Sequence, residues 1–103
     1  MPKKYKLEIS TIANHELLDI AVYHLHTVGV SSSRNISNKI LQSLERLKSF
    51  PLSCPYIQDA ELKSKEYRVL VCDEYVCIYR LIDDLVYVYH IAHSSTEYSK
   101  LFM

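Results

Sequence analysis

Between Glu66 and His93 the chain reads as three β-strands, EYRVLVC, YVCIYRLI and LVYVYHIAH, parted by Asp73-Glu74 and Asp83-Asp84. Valine, isoleucine and tyrosine suit a pleated, half-buried surface, and the two acidic pairs are the only lapses in apolar character. A three-stranded antiparallel meander is predicted. Its faces depend on the first turn. A two-residue turn at Asp73-Glu74 sets Arg68 opposite Tyr79 and Arg80 on the other face. A three-residue loop, Cys72 to Glu74, sets Arg68 opposite Ile78 and Leu70 opposite Val76, and gathers Arg68, Arg80, Tyr87, Tyr89, Ile91 and His93 on one face. The second register is preferred, because it leaves Val69, Val71, Tyr75, Cys77, Tyr79, Leu81, Val86, Val88, His90 and Ala92 for a core, and a one-residue slip reverses every side chain. It does so without a glycine for the left-handed position of such a loop.

Upstream, Lys4 to Ile9 alternates, with Tyr5, Leu7 and Ile9 on one face and Lys4, Lys6 and Glu8 on the other, which predicts a fourth strand. Ser10 or Thr11 can cap a helix whose apolar stripe is Ala13, Leu17, Ile20, Ala21, Leu25 and Val28, ending at Gly29. Ser31 to Ser33 offers the next cap, and Ile36, Ile40, Leu44 and Leu47 mark one face of a second helix that stops at Phe50-Pro51. So short a link predicts an antiparallel helical hairpin. Pro51 to Lys65 reads as an irregular crossing loop, and Ser94 to Thr96 could cap a short last helix through Tyr98, Leu101 and Phe102. The expected fold is α+β, β-α-α-β-β-β. The hairpin packs on one face of a twisted, mostly antiparallel four-stranded sheet, and a short C-terminal tail or helix follows.

At 103 residues with one glycine and no low-complexity tract, the whole of 1–103 is expected to be a single domain that folds unaided. The N-terminal MPKKYKLEIS is basic but has no apolar run of signal-peptide length, and nothing approaches a membrane span, so a cytoplasmic protein without a membrane partner is expected. Cys54, Cys72 and Cys77 are odd in number and lack zinc-site spacing. They read as two strand hydrophobes and one loop thiol, and no metal or cofactor is expected. Twelve basic and twelve acidic residues cancel. Arg34 to Arg68 leans basic and Val69 to Met103 acidic, a polarity well short of an autonomous nucleic-acid binder.

The opening Ser10, Ala13, Leu18, Asp19, Ile20, Tyr23 and the helix close Leu47-Lys48-Ser49-Phe50-Pro51 carry a resemblance. So do Tyr67 to Val71, Tyr75 to Arg80, Val86 to Ile91, His93 and Glu97-Tyr98. In order and spacing, over nearly the whole chain, they resemble the RelE/ParE superfamily, the toxin halves of bacterial type II toxin–antitoxin modules. The resemblance implies a cognate antitoxin that wraps the toxin. It implies one of three roles: a ParE-like poison of DNA gyrase, a RelE-like ribosome-dependent mRNA endoribonuclease that uses no metal, or an inactive member that only binds antitoxin. Self-association as a homodimer stays open beside these.

For the nuclease, the resemblance matches Arg68 to a basic position on the first meander strand and Tyr98 to a C-terminal tyrosine, and His93 at the end of the last strand could donate a proton. Cleavage by a 2′-hydroxyl needs cations around the developing phosphorane and a proton acceptor and donor on opposite sides. This chain departs from that pattern. Val76 follows Tyr75 where many relatives have arginine, Ser94, Ser95 and Thr96 stand where relatives carry arginines, and Leu70 replaces a basic residue. The gyrase reading is therefore ranked slightly ahead. A plainer reading lays Arg68 and Arg80 over tyrosine rings, makes His93 a surface histidine and makes His90 a hydrogen-bonded one. Arg80, Tyr87 and Tyr89 are expected to form a surface for a target or partner, to which the apolar tail Leu101-Phe102 adds. His24 and His26, two apart on a helix, point in different directions and do not make a metal pair.

Overall fold

The computed structural model describes residues 3–103, so Met1 and Pro2, at the head of the basic N-terminal stretch, lie outside the described residues. The elements are β1 (Lys6–Ile9), α1 (Thr11–Thr27), α2 (Val30–Arg46), α3 (Ala60–Ser64), β2 (Arg68–Cys72), β3 (Tyr75–Ile82), β4 (Leu85–His93) and a 3-10 helix at Tyr98–Phe102. The sheet runs β1-β4-β3-β2, with β1 parallel to β4 and the other pairs antiparallel. The α+β architecture is the one expected. The short α3 is an addition inside the stretch read as irregular.

The first hairpin corrects the preferred register. Cys72 pairs with Tyr75 and Arg68 with Tyr79, so the turn holds two residues. Asp73 takes φ 54° and Asp83 φ 55°, the left-handed region that aspartate visits more readily than most residues, so no glycine is needed. Arg68 and Arg80 therefore lie on opposite faces, and the helices pack on the Arg68 side. Leu70 joins the helix-side core, while Val69 packs on the outer face.

A second correction comes from β4. Ile78 pairs with His90 but Tyr79 with Val88, so Tyr89 is an extra residue and the strand bulges there. A bulge inserts one residue and shifts the alternation beyond it. Ile91 thus enters the helix-side core at 1% exposure, and His93, paired with Tyr75, returns to that face. His90 moves to the outer face, beside the Phe102 ring.

On the helix side, α2 supplies the main wedge. Ile36, Ile40, Leu44 and the following Leu47 are buried against Cys72, Cys77, Tyr79, Val86 and Val88, each large aliphatic contributing about 1.5–3 kcal/mol. Tyr79 is fully buried, and its hydroxyl donates to the Pro51 carbonyl at 2.8 Å. The α1 stripe is narrower than expected. Ala13 is buried and Leu17 and Ile20 partly so, but Leu25 and Val28 are exposed. Apolar residues surround α1, and its periodicity could not say which of them would meet the sheet. Ser10 joins helix to sheet, since its Oγ accepts from the Ala13 amide and donates to the Tyr89 carbonyl.

Gly29, at φ 147°, caps α2 in place of the serine cluster. The serines fall inside the first turn, where Ser33 donates to the Ala21 carbonyl and Ser32 meets His24, tying the hairpin together. The helix proper ends at Arg46, earlier than Phe50-Pro51.

The outer face of the sheet is not left bare. Ile57, Leu62 and Tyr67 cover Ile78, and Tyr98, Leu101 and Phe102 pack on them. Asp59 caps α3 by accepting from the Glu61 and Leu62 amides. Residues 55–57 extend the sheet past β2, with the Val69 amide bonded to the Pro55 carbonyl and the Ile57 amide to the Tyr67 carbonyl. Beyond Ile9, where β1 stops, the exposed side of β4 is met by Glu16 of α1. One carboxylate oxygen accepts from the Ile91 amide at 3.1 Å, and the same carboxylate bonds His90 Nδ1 at 3.2 Å.

Candidate functional site

Arg68 opens β2 at the end remote from the acidic turn. Its Nη1 donates to the Cys54 carbonyl at 2.7 Å, and its guanidinium lies 4.1 Å from the Tyr56 ring centroid. The sheet presents it on the helix side, and the segment after α2 closes over it. Arg80, on the other face, lies 5.3 Å from the centre of the Tyr67 ring and reaches the Tyr89 hydroxyl at 3.5 Å. Both arginines thus rest on tyrosine rings. The sequence did not show Tyr56 and Tyr67 as the arginines' partners, because each meets its arginine through tertiary packing rather than through spacing.

Arg80 belongs to an aromatic platform. Tyr87 and Tyr89 stack edge to face at 4.8 Å, Tyr67 meets Tyr89 at 5.0 Å, and Phe102 lies 4.6 Å from Tyr67. Offset and edge-on aromatic pairs of this kind contribute beyond simple area burial. The structure brings Arg80, Tyr87, Tyr89 and Phe102 together, as the strand pattern suggested, with Leu101 packed into the same outer layer. The apolar tail is therefore half-buried against the sheet.

His93 stands apart from Arg68. Its strand position is level with Tyr75 and Cys72, four residues along the sheet from Arg68 and two strands over, a Cα separation of about 16 Å. Its Nδ1 accepts from the Ser95 amide at 3.1 Å and meets the Ser95 hydroxyl at 2.8 Å. Tyr98 lines a separate cleft of about 390 Å³ with Tyr56, Asp59, Val69 and Glu97. Arg68, His93 and Tyr98 therefore do not converge on a single phosphate.

A polar relay sits nearer His93. His24 of α1 bonds Ser32 through Nδ1 at 3.0 Å and the Tyr75 hydroxyl through Nε2 at 2.9 Å. The Tyr75 ring in turn packs edge-on to His93 at 5.7 Å. Burial, then the Glu74 carboxylate, raises the Tyr75 phenol above its ordinary range, so it stays protonated and can donate. His26 is exposed, and the two helix histidines do point apart. Cys77, in the core, is pushed up to about 12 by burial and the neighbouring thiols, which makes it inert packing. No group of three or more metal-ligating side chains occurs among the described residues, and no helix there is long and apolar enough to cross a membrane.

A groove of about 550 Å³ runs between α2 and the β2 edge, lined by Lys39, Ser43, Arg46, Val71 and Asp73, with Lys39 bridged to Asp73 at 3.1 Å. Val71 is 66% exposed there.

This backbone is similar to one in the chromosomal ParDE toxin–antitoxin system from P. aeruginosa, with a TM-score of 0.74 at 12% identity, over 87% of this chain and 96% of that one. It also matches the toxin–antitoxin complex RelBE2 from Mycobacterium tuberculosis, with a TM-score of 0.63 at 18% identity, over 87% and 98%. A search of curated proteins finds no match. The family model described as "ParE toxin of type II toxin-antitoxin system, parDE" matches residues 7–98, from β1 through the start of the terminal 3-10 helix, and the chain belongs to that ParE toxin family.

Proposed function

We propose that this chain is a ParE-like toxin that arrests growth by acting on DNA gyrase in the cytoplasm, and that a cognate antitoxin holds it in check. The observation that carries this reading is the position of Arg68. The cation that would have served phosphoryl chemistry is tied to the Cys54 carbonyl and the Tyr56 ring on the helix side, about 16 Å from His93 on β4. A 2′-hydroxyl attack needs those groups around one phosphorus. Binding a protein target makes no such demand, and the Arg80, Tyr87, Tyr89 platform has the aromatic and arginine chemistry that anchors protein interfaces.

Antitoxin binding has physical support in the groove between α2 and β2. Lys39, paired with Asp73 at 3.1 Å, and Arg46 line it beside an exposed strand edge at Val71, a setting for an extended segment that adds a strand to the sheet.

The test is expression of the chain from a tightly controlled promoter without a partner gene. Growth arrest with broken chromosomal DNA and altered plasmid supercoiling is expected. Transcripts cleaved within minutes, with intact DNA, would replace gyrase by mRNA as the target, and unimpaired growth would remove both toxic readings.

A further inference from the structure

We propose that the cleft between α1 and the far end of β4 receives an arginine side chain presented by a protein partner. This holds whether or not gyrase is the target, since it rests on the fold alone. The cleft has a volume of about 460 Å³ and lies past Ile9, where β1 has stopped running along β4. Glu16, Asp19 and Tyr23 line it from one face of α1, at the three- and four-residue spacing that makes side chains neighbours on a helix. Tyr75, Ile91 and His93 line it from the sheet. The groove at Val71 lies on the opposite edge of the β1-β4-β3-β2 sheet, so a strand added there leaves this cleft open.

The lining specifies the occupant. Two carboxylates line the cleft and no lysine or arginine does, although the chain carries twelve such cations. Glu16 is committed, since its oxygens take the Ile91 amide and His90 Nδ1. Asp19 is exposed and pairs with no cation among the described residues. An anion entering there meets like charge, and an apolar side chain strips water from Asp19 without replacing it. A cation satisfies it.

The aromatic side of the cleft separates arginine from other cations. Tyr23, 61% exposed, offers an open ring one helical turn from Asp19. Behind it the Tyr75 and His93 rings stand at 81° to each other, 5.7 Å apart. The Tyr75 hydroxyl is already engaged by His24 at 2.9 Å, which leaves its ring as the lining. A planar guanidinium stacks on a tyrosine face while its fork bonds a carboxylate, and its methylene stem lies along apolar surface such as Ile20 and Ile91. A lysine ammonium makes the charge contact without the stack. Free arginine brings its own α-carboxylate against Asp19 and Glu16, so the side chain arrives within a polypeptide.

Nuclear magnetic resonance titration of the full chain tests the assignment, with an Ala-Arg-Ala tripeptide capped at both ends as the probe. The amide signals of Asp19, Ala92 and His93 are expected to shift and to saturate in the low millimolar range, as suits a single anchoring side chain. Citrulline, the neutral isostere, in place of arginine should weaken binding about 10-fold, and lysine about 3-fold. Free arginine should bind about 5-fold more weakly than the tripeptide. Asp19→Asn and Tyr23→Ala, both at exposed positions, should each weaken binding about 5-fold with circular dichroism unchanged. Signals that stay fixed up to about 50 mM tripeptide overturn the proposal. So does a citrulline or lysine peptide, or free arginine, that binds as tightly as the arginine tripeptide, or an Asp19→Asn chain that binds as wild type does.

Discussion

Replacing Arg68 separates a structural arginine from a working one. In Arg68→Ala the guanidinium loses its 2.7 Å bond to the Cys54 carbonyl and its stack on Tyr56 at 4.1 Å. A hydrogen bond from a charged donor contributes about 1.5–3 kcal/mol and a cation–π contact about 0.5–2 kcal/mol. Arg68 is only half-buried, so water recovers part of both, and a net loss of about 2 kcal/mol is expected. Arg68→Lys keeps the charge but gives up the planar stack, and about half that loss is expected. Urea unfolding reads the difference directly. For a chain of this size, with a slope near 1.5 kcal/mol per molar, the midpoint of Arg68→Ala should fall by about 1.3 M with the slope unchanged. At a temperature where the variant stays folded, growth arrest should persist. An Arg68→Ala chain of wild-type stability that no longer arrests growth would refute the reasoning, since the side chain would then be acting on the target rather than holding the 51–56 segment.

Three further outcomes follow from the packing. Tyr79→Phe leaves the buried Pro51 carbonyl without its donor and should cost about 1–3 kcal/mol in urea unfolding. Glu16→Ala strips the acceptor from the Ile91 amide, with an expected loss of about 2 kcal/mol and faster amide exchange at Ile91, while Glu16→Gln, which can still accept, should lose about half as much. For Cys77, burial favours the neutral thiol in the folded chain, so its pKa rises from 9.0 to about 12. The fold-stabilising effect of the neutral thiol is complete below pH 9 and declines as pH climbs toward 12, and Tyr75 and Tyr79, raised mainly by burial, push the same way. Thiol labelling of the native chain at pH 8 should modify Cys54 and spare Cys77.

Strand boundaries were legible to within two residues because valine, isoleucine and tyrosine run unbroken between acidic pairs, and α2 was legible because Ile36, Ile40, Leu44 and Leu47 recur on one face. The faces of the sheet were not. Register turned on whether Asp73 could adopt a left-handed angle, and a bulge at Tyr89 then reversed the outward side for the rest of β4. Neither leaves a mark in an apolar pattern of period two. The same two facts decided the candidate site, since they moved Arg68 to the helix side and His93 away from Arg80. The arginine–tyrosine stacking was legible as a type of contact, though not the partners Tyr56 and Tyr67, which arrive from a loop and from the residue before β2.

The carboxylate of Glu16, seated where a longer β1 would have continued, has a consequence for the molecule in a crowded cell. Exposed strand margins invite other chains to join them, and proteins guard such margins with charge. The amide of Ile91 is already occupied, and the group occupying it carries a negative charge. A stray extended segment approaching there meets a blocked donor and an acidic neighbour, so the sheet should resist growing into fibres from that margin.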